Sequence, residues 1–134
     1  MDIVSKEKRS EMMSRIRGKD TVPEKQVRAL LHRMGYRFRL YVKNLPGQPD
    51  IVLPKYRTVI LVHGCFWHRH LGCKYAYQPK SRKEFWQKKF QENIERDKQK
   101  EKALQFLGWK VIIIWECELE DPKKIEKKLK RLIK

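Results

Sequence analysis

The segment from residue 59 to residue 73 constrains the fold and the chemistry of this chain more than any other. It starts as the apolar run Val59-Ile-Leu-Val62, which is typical of a buried β-strand. It then changes into a dense group that holds three of the four histidines, two of the three cysteines and the adjacent pair Phe66-Trp67. Such crowding of metal-capable and proton-transferring groups at the end of a strand is costly in a core and favours an active site.

The composition indicates a nucleic-acid partner and a reducing compartment. The chain has 134 residues, and 33 lysines and arginines against 16 acidic residues give a net charge of +17. Such an excess of positive charge indicates a polyanionic partner, nucleic acid before a membrane surface. The alternative is a ribosomal-type or merely soluble basic protein. No apolar run is long enough to cross a bilayer, the start of the chain is too polar for a signal peptide, and an odd number of cysteines does not fit a secreted disulfide framework. We therefore expect one cytoplasmic domain.

The periodicity of apolar residues predicts the order α-α-β-β-β-α-β-α. Capping boxes are predicted at Thr21-Val-Pro-Glu24 and at Ser81-Arg-Lys-Glu84, and Asp121-Pro122 is a third helix start. The predicted elements are a basic helical arm over 5–17, a helix over 21–34, strands over 36–41, 50–53 and 58–62, a helix over 81–107, a strand over 109–115 and a helix from 121. This order predicts one domain over residues 1–134, of the α/β class or alternatively α+β, with a small mixed sheet flanked by helices.

Three cysteines and one histidine have the character of a zinc site. Cys65, His70 and Cys73 lie close together in sequence, and Cys117 follows the predicted strand over 109–115. Three thiolates and one imidazole form a closed tetrahedral site, which is structural because no position remains for a reacting water. The alternative is that Cys65 and Cys117 are small buried apolar residues. The spacing of the group favours zinc.

Two carboxylates occupy positions where a charge is costly. Asp50 stands at the start of an otherwise apolar strand, and the alternative for it is a turn residue after proline. Asp97 falls on the apolar face of the long predicted helix, beside Asn93. A buried carboxylate needs a partner, and a histidine from the 63–70 cluster is the natural one for Asp97. The alternative is a structural ion pair with a lysine or arginine.

Two histidines remain for proton transfer if His70 binds zinc. They are His63, at the end of the predicted strand, and His68, just after Phe66-Trp67. A neutral imidazole near pH 7 can take a proton from water. The alternative for both is a position on the DNA-contact surface.

Aromatic residues beside this cluster are candidates for opening a duplex. Phe66 and Trp67 lie on a loop between predicted metal ligands, and Trp86 lies near the start of the long helix. Bulky side chains on a stiffened loop can be inserted between base pairs and unstack them. The alternative is an ordinary core position, above all for Trp86.

The chain resembles the very-short-patch-repair (Vsr) mismatch endonucleases over nearly its whole length. The resemblance rests on several motifs that occur in the same order: Met-Ser-Arg-Ile-Arg-Gly-Lys-Asp-Thr (13–21) with Glu24, Leu-Pro-Gly-Gln-Pro-Asp (45–50), His-Gly-Cys-Phe-Trp-His (63–68), Phe-Trp (85–86), Asn-Ile-Glu-Arg-Asp (93–97), Leu-Gly-Trp (107–109) and Ile-Trp-Glu-Cys (114–117). It implies a restriction-endonuclease-like fold with a structural zinc site. It also implies an Mg2+-dependent enzyme that nicks one DNA strand beside a T:G mismatch, the product of deaminating 5-methylcytosine.

The resemblance also implies roles for individual residues in hydrolysis. Asp50 and the Val62 carbonyl would bind the Mg2+ ion. His68 would be the general base on the attacking water, and Asp97 would orient His68. Glu24 and His63 would hold water molecules around the ion.

Further residues would contact the DNA. Phe66, Trp67 and Trp86 would intercalate beside the mismatch from the major groove, and the N-terminal helix with Met13 would lie along the minor groove. We also assign DNA binding to Asn93 and, within a basic N-terminal arm over 1–20, to Arg15 and Arg17. The substrate would be double-stranded DNA, the enzyme a monomer without a membrane partner, and mismatch-repair proteins candidate partners in a bacterial or archaeal cytoplasm.

Two departures from related patterns leave alternatives open. The strand that ends Leu61-Val62-His63 has no carboxylate-x-Lys pair, which the wider nuclease superfamily usually carries there and the Vsr branch lacks. The segment His70-Leu-Gly-Cys73 is less rich in histidine than the family form, so His68 competes with His70 as the zinc ligand. The alternative functions are a zinc-stabilised DNA-binding module without catalysis and a nuclease of the same fold with another DNA substrate.

Overall fold

The protein is described by a computed structural model that covers residues 21–134, so the predicted arm with Met13, Arg15 and Arg17 lies outside the described residues. The elements, in chain order, are α1 (Val22–Arg33), β1 (Ile51–Leu53), β2 (Thr58–His63), α2 (Lys83–Phe106), β3 (Lys110–Trp115) and α3 (Pro122–Leu132). Short 3-10 helices cover Pro54–Tyr56 and Glu116–Glu120. The predicted α/β architecture with a small mixed sheet is confirmed. Residues 21–134 contain no helix with the length and apolar character that a bilayer span requires.

The sheet brings the ends of its strands to one edge. β2 lies in the centre, antiparallel to β1 and parallel to β3, and α2 forms the crossover between the two parallel strands. His63 at the end of β2 is therefore level with Trp115 at the end of β3. Because β1 runs in the opposite direction, its first residues lie at the same edge, and Asp50 comes directly before them. The cluster over residues 63–73 therefore begins at the same edge of the sheet as Asp50.

Both faces of the sheet are covered by helices. On one face, α1 and α3 contribute to a core with isoleucines from all three strands: Ile51, Ile60 and Ile112 lie in one cross-strand row. On the other face, Val52 and Val59 pack against Leu104 of α2. Burial of these branched side chains on both faces explains why the strands are nearly continuous apolar runs. Each fully buried Ile or Val contributes roughly 1.5–3 kcal/mol.

The predicted strand over 36–41 is wrong as a strand. Side chains there alternate between half-buried and exposed, as the sequence pattern suggested, but the segment forms only an isolated bridge between Arg39 and Val52. Both backbone hydrogen bonds of that bridge are present, at 2.8 and 2.9 Å. Tyr41 then adopts a left-handed conformation with φ 57°, which turns the chain out of the extended path before a ladder can form.

Two of the three predicted helix starts are confirmed, and one is wrong. The Thr21 hydroxyl accepts a hydrogen bond from the Glu24 amide, and the Asp121 carboxylate accepts one from the Lys124 amide. The predicted capping box at Ser81 does not form, because Arg82 is the N-cap of α2 and makes no side-chain capping bond. Arg82 has φ 54°, so the chain enters the helix through a left-handed residue, and the Arg82 guanidinium lies 4.4 Å from the centre of the Phe85 ring.

Candidate active site and Cys/His cluster

Asp50 lies partly desolvated at the sheet edge. Its Oδ2 accepts a hydrogen bond of 2.7 Å from the Val62 amide on the neighbouring strand. Burial raises the pKa of Asp50 to about 6, against the effect of that hydrogen bond, and the nearby Glu24 carboxylate raises it further. No lysine or arginine of residues 21–134 forms an ion pair with Asp50 within 4.0 Å. A desolvated carboxylate without a paired cation is a favourable ligand for a metal ion.

Glu24 adds a second carboxylate to the corner of the site formed by Asp50, Val62 and Glu24, the Asp50 corner. It is buried on the first turn of α1, where Arg28 pairs with it at 3.2 Å. Glu24 and Asp50 line one small pocket together with four other residues: Tyr41, Lys43, Gln48 and Pro49. Carboxylate and backbone oxygens are the hard donors that Mg2+ prefers, and Mg2+ keeps several of its waters. Asp50 and the Val62 carbonyl therefore fit a hard divalent ion such as Mg2+ by the chemistry of their oxygens, and the Glu24 carboxylate fits a water molecule bound to that ion.

His68 and Asp97 form a direct hydrogen bond beside this corner. The His68 Nδ1 lies 2.5 Å from the Asp97 Oδ2, and both side chains are partly buried. The predicted pairing of Asp97 with a histidine of the cluster is confirmed, and the alternative of a lysine or arginine partner is not found within the described residues. With Asp97 ionised, Nδ1 donates the proton of this bond and leaves the Nε2 lone pair available.

His63 stacks on His68 and is neutral at physiological pH. The two ring centroids are 3.9 Å apart with an interplanar angle of 6°. Burial lowers the pKa of His63 to about 4, and the neighbouring His68 lowers it as well. The His63 Nδ1 is buried and has no hydrogen-bond partner within residues 21–134. A buried polar atom of this kind costs about 1–3 kcal/mol unless a water or ligand satisfies it.

The three cysteines and His70 meet in one cluster. Ligand atoms of Cys65, His70, Cys73 and Cys117 all lie within 4.8 Å of one another. The Cys117 Sγ is 3.3 Å from the His70 Nδ1, and the Cys117 amide donates to the Cys65 Sγ at 3.4 Å. Burial raises the pKa of Cys65 to about 12 and raises that of Cys117, and no disulfide joins the thiols. A cation bound by the sulfur atoms would stabilise the thiolate form and so lower these pKa values.

The donor set of this cluster fits zinc. Three sulfur ligands and one imidazole close to one another are a standard donor set for structural zinc. The structure places His70 with the cysteines and places His68 with His63 and Asp97. His70 also stacks on Trp115, with centroids 4.2 Å apart, which fixes the ring beside the cluster. The geometry thus favours His70 over its competitor as the histidine ligand.

The three residues predicted to intercalate, Phe66, Trp67 and Trp86, form an aromatic cluster outside the main core. Phe66 is central: its ring lies 5.2 Å from Trp67, 5.6 Å from Trp86 and 5.3 Å from Phe90, all edge to face. Phe66, Trp67 and Trp86 are half-buried, and none belongs to the two apolar clusters that cover the sheet. Aromatic side chains that are only half-covered by one another retain surface for a further flat partner.

Asn93 and Arg69 support this aromatic loop from inside. Asn93 is buried on α2 and donates from Nδ2 to the Trp67 carbonyl at 3.4 Å, so the structure places its amide on the loop. Arg69, with φ 54°, donates to the carbonyls of Phe66, Ala76 and Tyr77, and its guanidinium lies 4.0 Å from the Phe90 ring centre.

Sequence reasoning missed Arg69. In the sequence it is one of 33 basic residues, and only its position between His68 and His70 sets it apart.

Comparison with known proteins agrees with the motifs. The model of the family described as "DNA mismatch endonuclease Vsr" matches residues 1–74. The chain is 50% identical to the type II nicking enzyme V.XorIIP of Xanthomonas oryzae over 132 residues, which is 98% of this chain and 96% of the relative. It is 44% identical to the type II nicking enzyme V.NmeAIP of Neisseria meningitidis, over 99% and 94% of the two chains. It is also 44% identical to the DNA mismatch endonuclease Vsr of Escherichia coli, over 92% and 79%. The chain therefore belongs to the Vsr family of DNA mismatch endonucleases.

Proposed function

We propose that this protein is an Mg2+-dependent endonuclease that nicks one strand of duplex DNA beside a T:G mismatch, the product of deaminating 5-methylcytosine, and so starts very-short-patch repair. Family membership supports a mismatch endonuclease, and relatives named as nicking enzymes support a cut in one strand. The observation that supports the chemistry is the 2.5 Å hydrogen bond between His68 and Asp97. This pair lies near Asp50, which is bound by the Val62 amide at the same edge of the sheet. The enzyme would act as a monomer in the cytoplasm.

Asp50 and the Val62 carbonyl would hold the divalent ion, and Glu24 and His63 would hold water molecules around it. When bound, Mg2+ neutralises charge that develops on the phosphate during hydrolysis. The short bond from the Val62 amide fixes one oxygen of Asp50 and leaves the other free to bind. Glu24 is held by α1, whose first turn is fixed by the Thr21 cap. The restriction-endonuclease-like fold is also part of this proposal, supported by the mixed sheet with acidic groups at one edge.

His68 would act as the general base. Asp97 holds its Nδ1, which orients the ring and keeps Nε2 as the proton acceptor for the attacking water. His63 supports the arrangement because its neutral ring stacks on His68 without adding a competing charge. The water would give a proton to His68 Nε2 and form a new bond to phosphorus, while the bond from phosphorus to one deoxyribose oxygen breaks and that oxygen takes a proton from solvent.

The aromatic cluster would select the mismatch. Phe66, Trp67 and Trp86 present half-buried rings on a loop that Asn93 and Arg69 fix. Inserting side chains between base pairs costs a few kcal/mol per step, and this cost is lowest at a mismatched base. The proposed zinc site at Cys65, His70, Cys73 and Cys117 would stiffen the same loop.

The proposed function is tested by nicking assays on matched duplexes. Labelled duplexes differ only in one central pair, T:G, T:A or C:G, and are incubated with Mg2+ or EDTA. We expect a single-strand nick beside the T only in the T:G duplex and only with Mg2+. A library with randomised flanking bases covers the unknown sequence context. Nicking of another lesion or of matched DNA would favour a nuclease with a different substrate, and binding without any nicking would favour a pure DNA-binding module.

Substitutions in the His68–Asp97 pair are expected to slow nicking by different amounts, more for His68 than for Asp97. His68→Ala removes the proton acceptor and should reduce the single-turnover rate by about 10²–10⁴-fold, the range for general base catalysis. Asp97→Asn leaves the ring in place but weakens its orientation, so a smaller loss is expected. The double variant should be no slower than His68→Ala, because both residues act in one step. Additive losses would contradict a shared role.

A further inference from the structure

Lys100 occupies an unusual position for a lysine in this chain. It lies three residues after Asp97 and seven after Asn93 on α2, the spacings that put side chains on one helix face. Asn93 is buried on that face and Asp97 pairs with His68, so the face is directed at the candidate site. Lys100 is half-buried there, whereas Lys98 and Lys102 nearby are exposed.

The stem of Lys100 is packed against the loop that leads into Asp50. A Cβ added to Gly47 would lie 2.6 Å from the Lys100 Cγ and 2.8 Å from its Cδ. Gly47, with φ 70°, lets the backbone come close enough to enclose the stem. The stem is thereby held against the backbone of Gly47, three residues before Asp50.

The ammonium group of Lys100 acts on the candidate site but is not paired with it. Its charge lowers the pKa of both Asp50 and His63. Within residues 21–134 it forms neither an ion pair within 4.0 Å nor a hydrogen bond. The packed stem, rather than a paired acceptor, holds this ammonium group near Asp50, so its three N–H donors are available to an anion that enters the site. A lysine beside a nuclease site has a natural anionic partner in the substrate.

We propose that Lys100 binds a DNA phosphate at the position of the cut, with its ammonium on a non-bridging oxygen. This assignment rests on the proposed function, since it places the reacting phosphate between Lys100 and the Asp50 corner. A flexible ammonium is a compact point charge well suited to one phosphate oxygen. Its charge would stabilise the negative charge that increases during hydrolysis, in addition to the divalent ion.

The first test compares variants that differ in charge but not in packing. Lys100→Met keeps the stem against Gly47, Lys100→Arg keeps the charge, and Lys102→Met is a matched control on the exposed side of the same helix. We expect Lys100→Met to slow single-turnover nicking roughly 10- to 100-fold and to lower the salt slope of DNA binding by about 1. Lys100→Arg should recover most of both, and Lys102→Met should retain the wild-type rate. Equal behaviour of the two methionine variants would overturn the proposal.

The second test identifies the phosphate. Binding is measured in EDTA on duplexes in which a neutral methylphosphonate replaces the phosphate at the cut or one of its neighbours. The loss caused by Lys100→Met should disappear on the duplex that lacks the contacted charge, whereas a merely structural effect would persist on every duplex and would overturn the proposal. If the wild type does not nick T:G duplexes, the proposed function fails, and this binding cycle still decides whether Lys100 contacts phosphate.

Discussion

Asp50→Asn is expected to reduce nicking by about a thousandfold or more while DNA binding stays within a few-fold of the wild type. A metal ion contributes several kcal/mol to the stabilisation of developing charge, and each 1.36 kcal/mol corresponds to a factor of ten in rate. Asparagine preserves the size of the side chain, but it replaces a charged oxygen with an amide that binds Mg2+ weakly. Binding should persist because removal of a buried carboxylate also removes a charge that repels phosphate.

Nicking and binding are measured on the same T:G duplex, the second by fluorescence anisotropy in EDTA. The control is Asp121→Asn, which makes the same chemical change at the N-cap of α3, where asparagine caps equally well. That variant should match the wild type in rate and melting temperature. Persistent nicking by Asp50→Asn would show that Asp50 does not hold the catalytic ion.

The elevated pKa of Asp50 adds a pH dependence to this prediction. With a pKa of about 6, Asp50 is mostly ionised at pH 7.5 and mostly protonated at pH 5. Protons therefore compete with the divalent ion below pH 6, and the Mg2+ concentration for half-maximal nicking should rise as the pH falls from 7.5 to 5. A constant requirement for Mg2+ over this range would contradict competition at Asp50.

Loss of zinc is expected to have the second large effect, on stability as well as on activity. Structural zinc contributes an apparent 10–16 kcal/mol in zinc-finger peptides, about as much as the whole stability of a typical domain. Strong chelation should therefore lower the melting temperature markedly and unfold the segment over 63–73. Metal analysis should find one zinc ion per chain before chelation. An unchanged melting curve after chelation would contradict the assignment of Cys65, Cys73 and Cys117.

Histidine variants separate the two metal-capable clusters. His70→Ala is expected to lose bound zinc, and His68→Ala is expected to keep zinc while it loses nicking. The matched control is His32→Ala, because His32 is exposed on α1 and belongs to neither cluster. Loss of zinc from His68→Ala would reverse the assignment of the histidine ligand.

Local patterns in the sequence predicted most elements, and distant contacts explain what they missed. The caps at Thr21 and Asp121 depend on residues three positions apart, so they can be recognised without a fold. The contact of Asp97 with a histidine could be inferred because a carboxylate on an apolar helix face requires a partner. The predicted strand over 36–41 was wrong because Tyr41 has a left-handed backbone conformation, which no pattern in the local sequence indicates.

The supporting residues of the site could not be predicted. Arg69 acquires its role from carbonyls up to eight residues away and from Phe90 on another element. Lys100 acquires its position from a glycine that lies 53 residues earlier in the sequence. Both are ordinary basic residues in the sequence, and only tertiary structure distinguishes them from the others. Sequence reasoning therefore indicated candidate reacting groups, but not the basic residues that pack around them.

The parallel pairing of β2 with β3 has a consequence for the synthesis of this protein. The site draws on residues from Glu24 to Cys117, and its two parallel strands pair only after the whole of α2 has been made. A nascent chain on the ribosome therefore lacks Cys117 until 44 residues beyond Cys73 have been translated. Fragments from interrupted translation or early proteolysis cannot assemble the complete cluster.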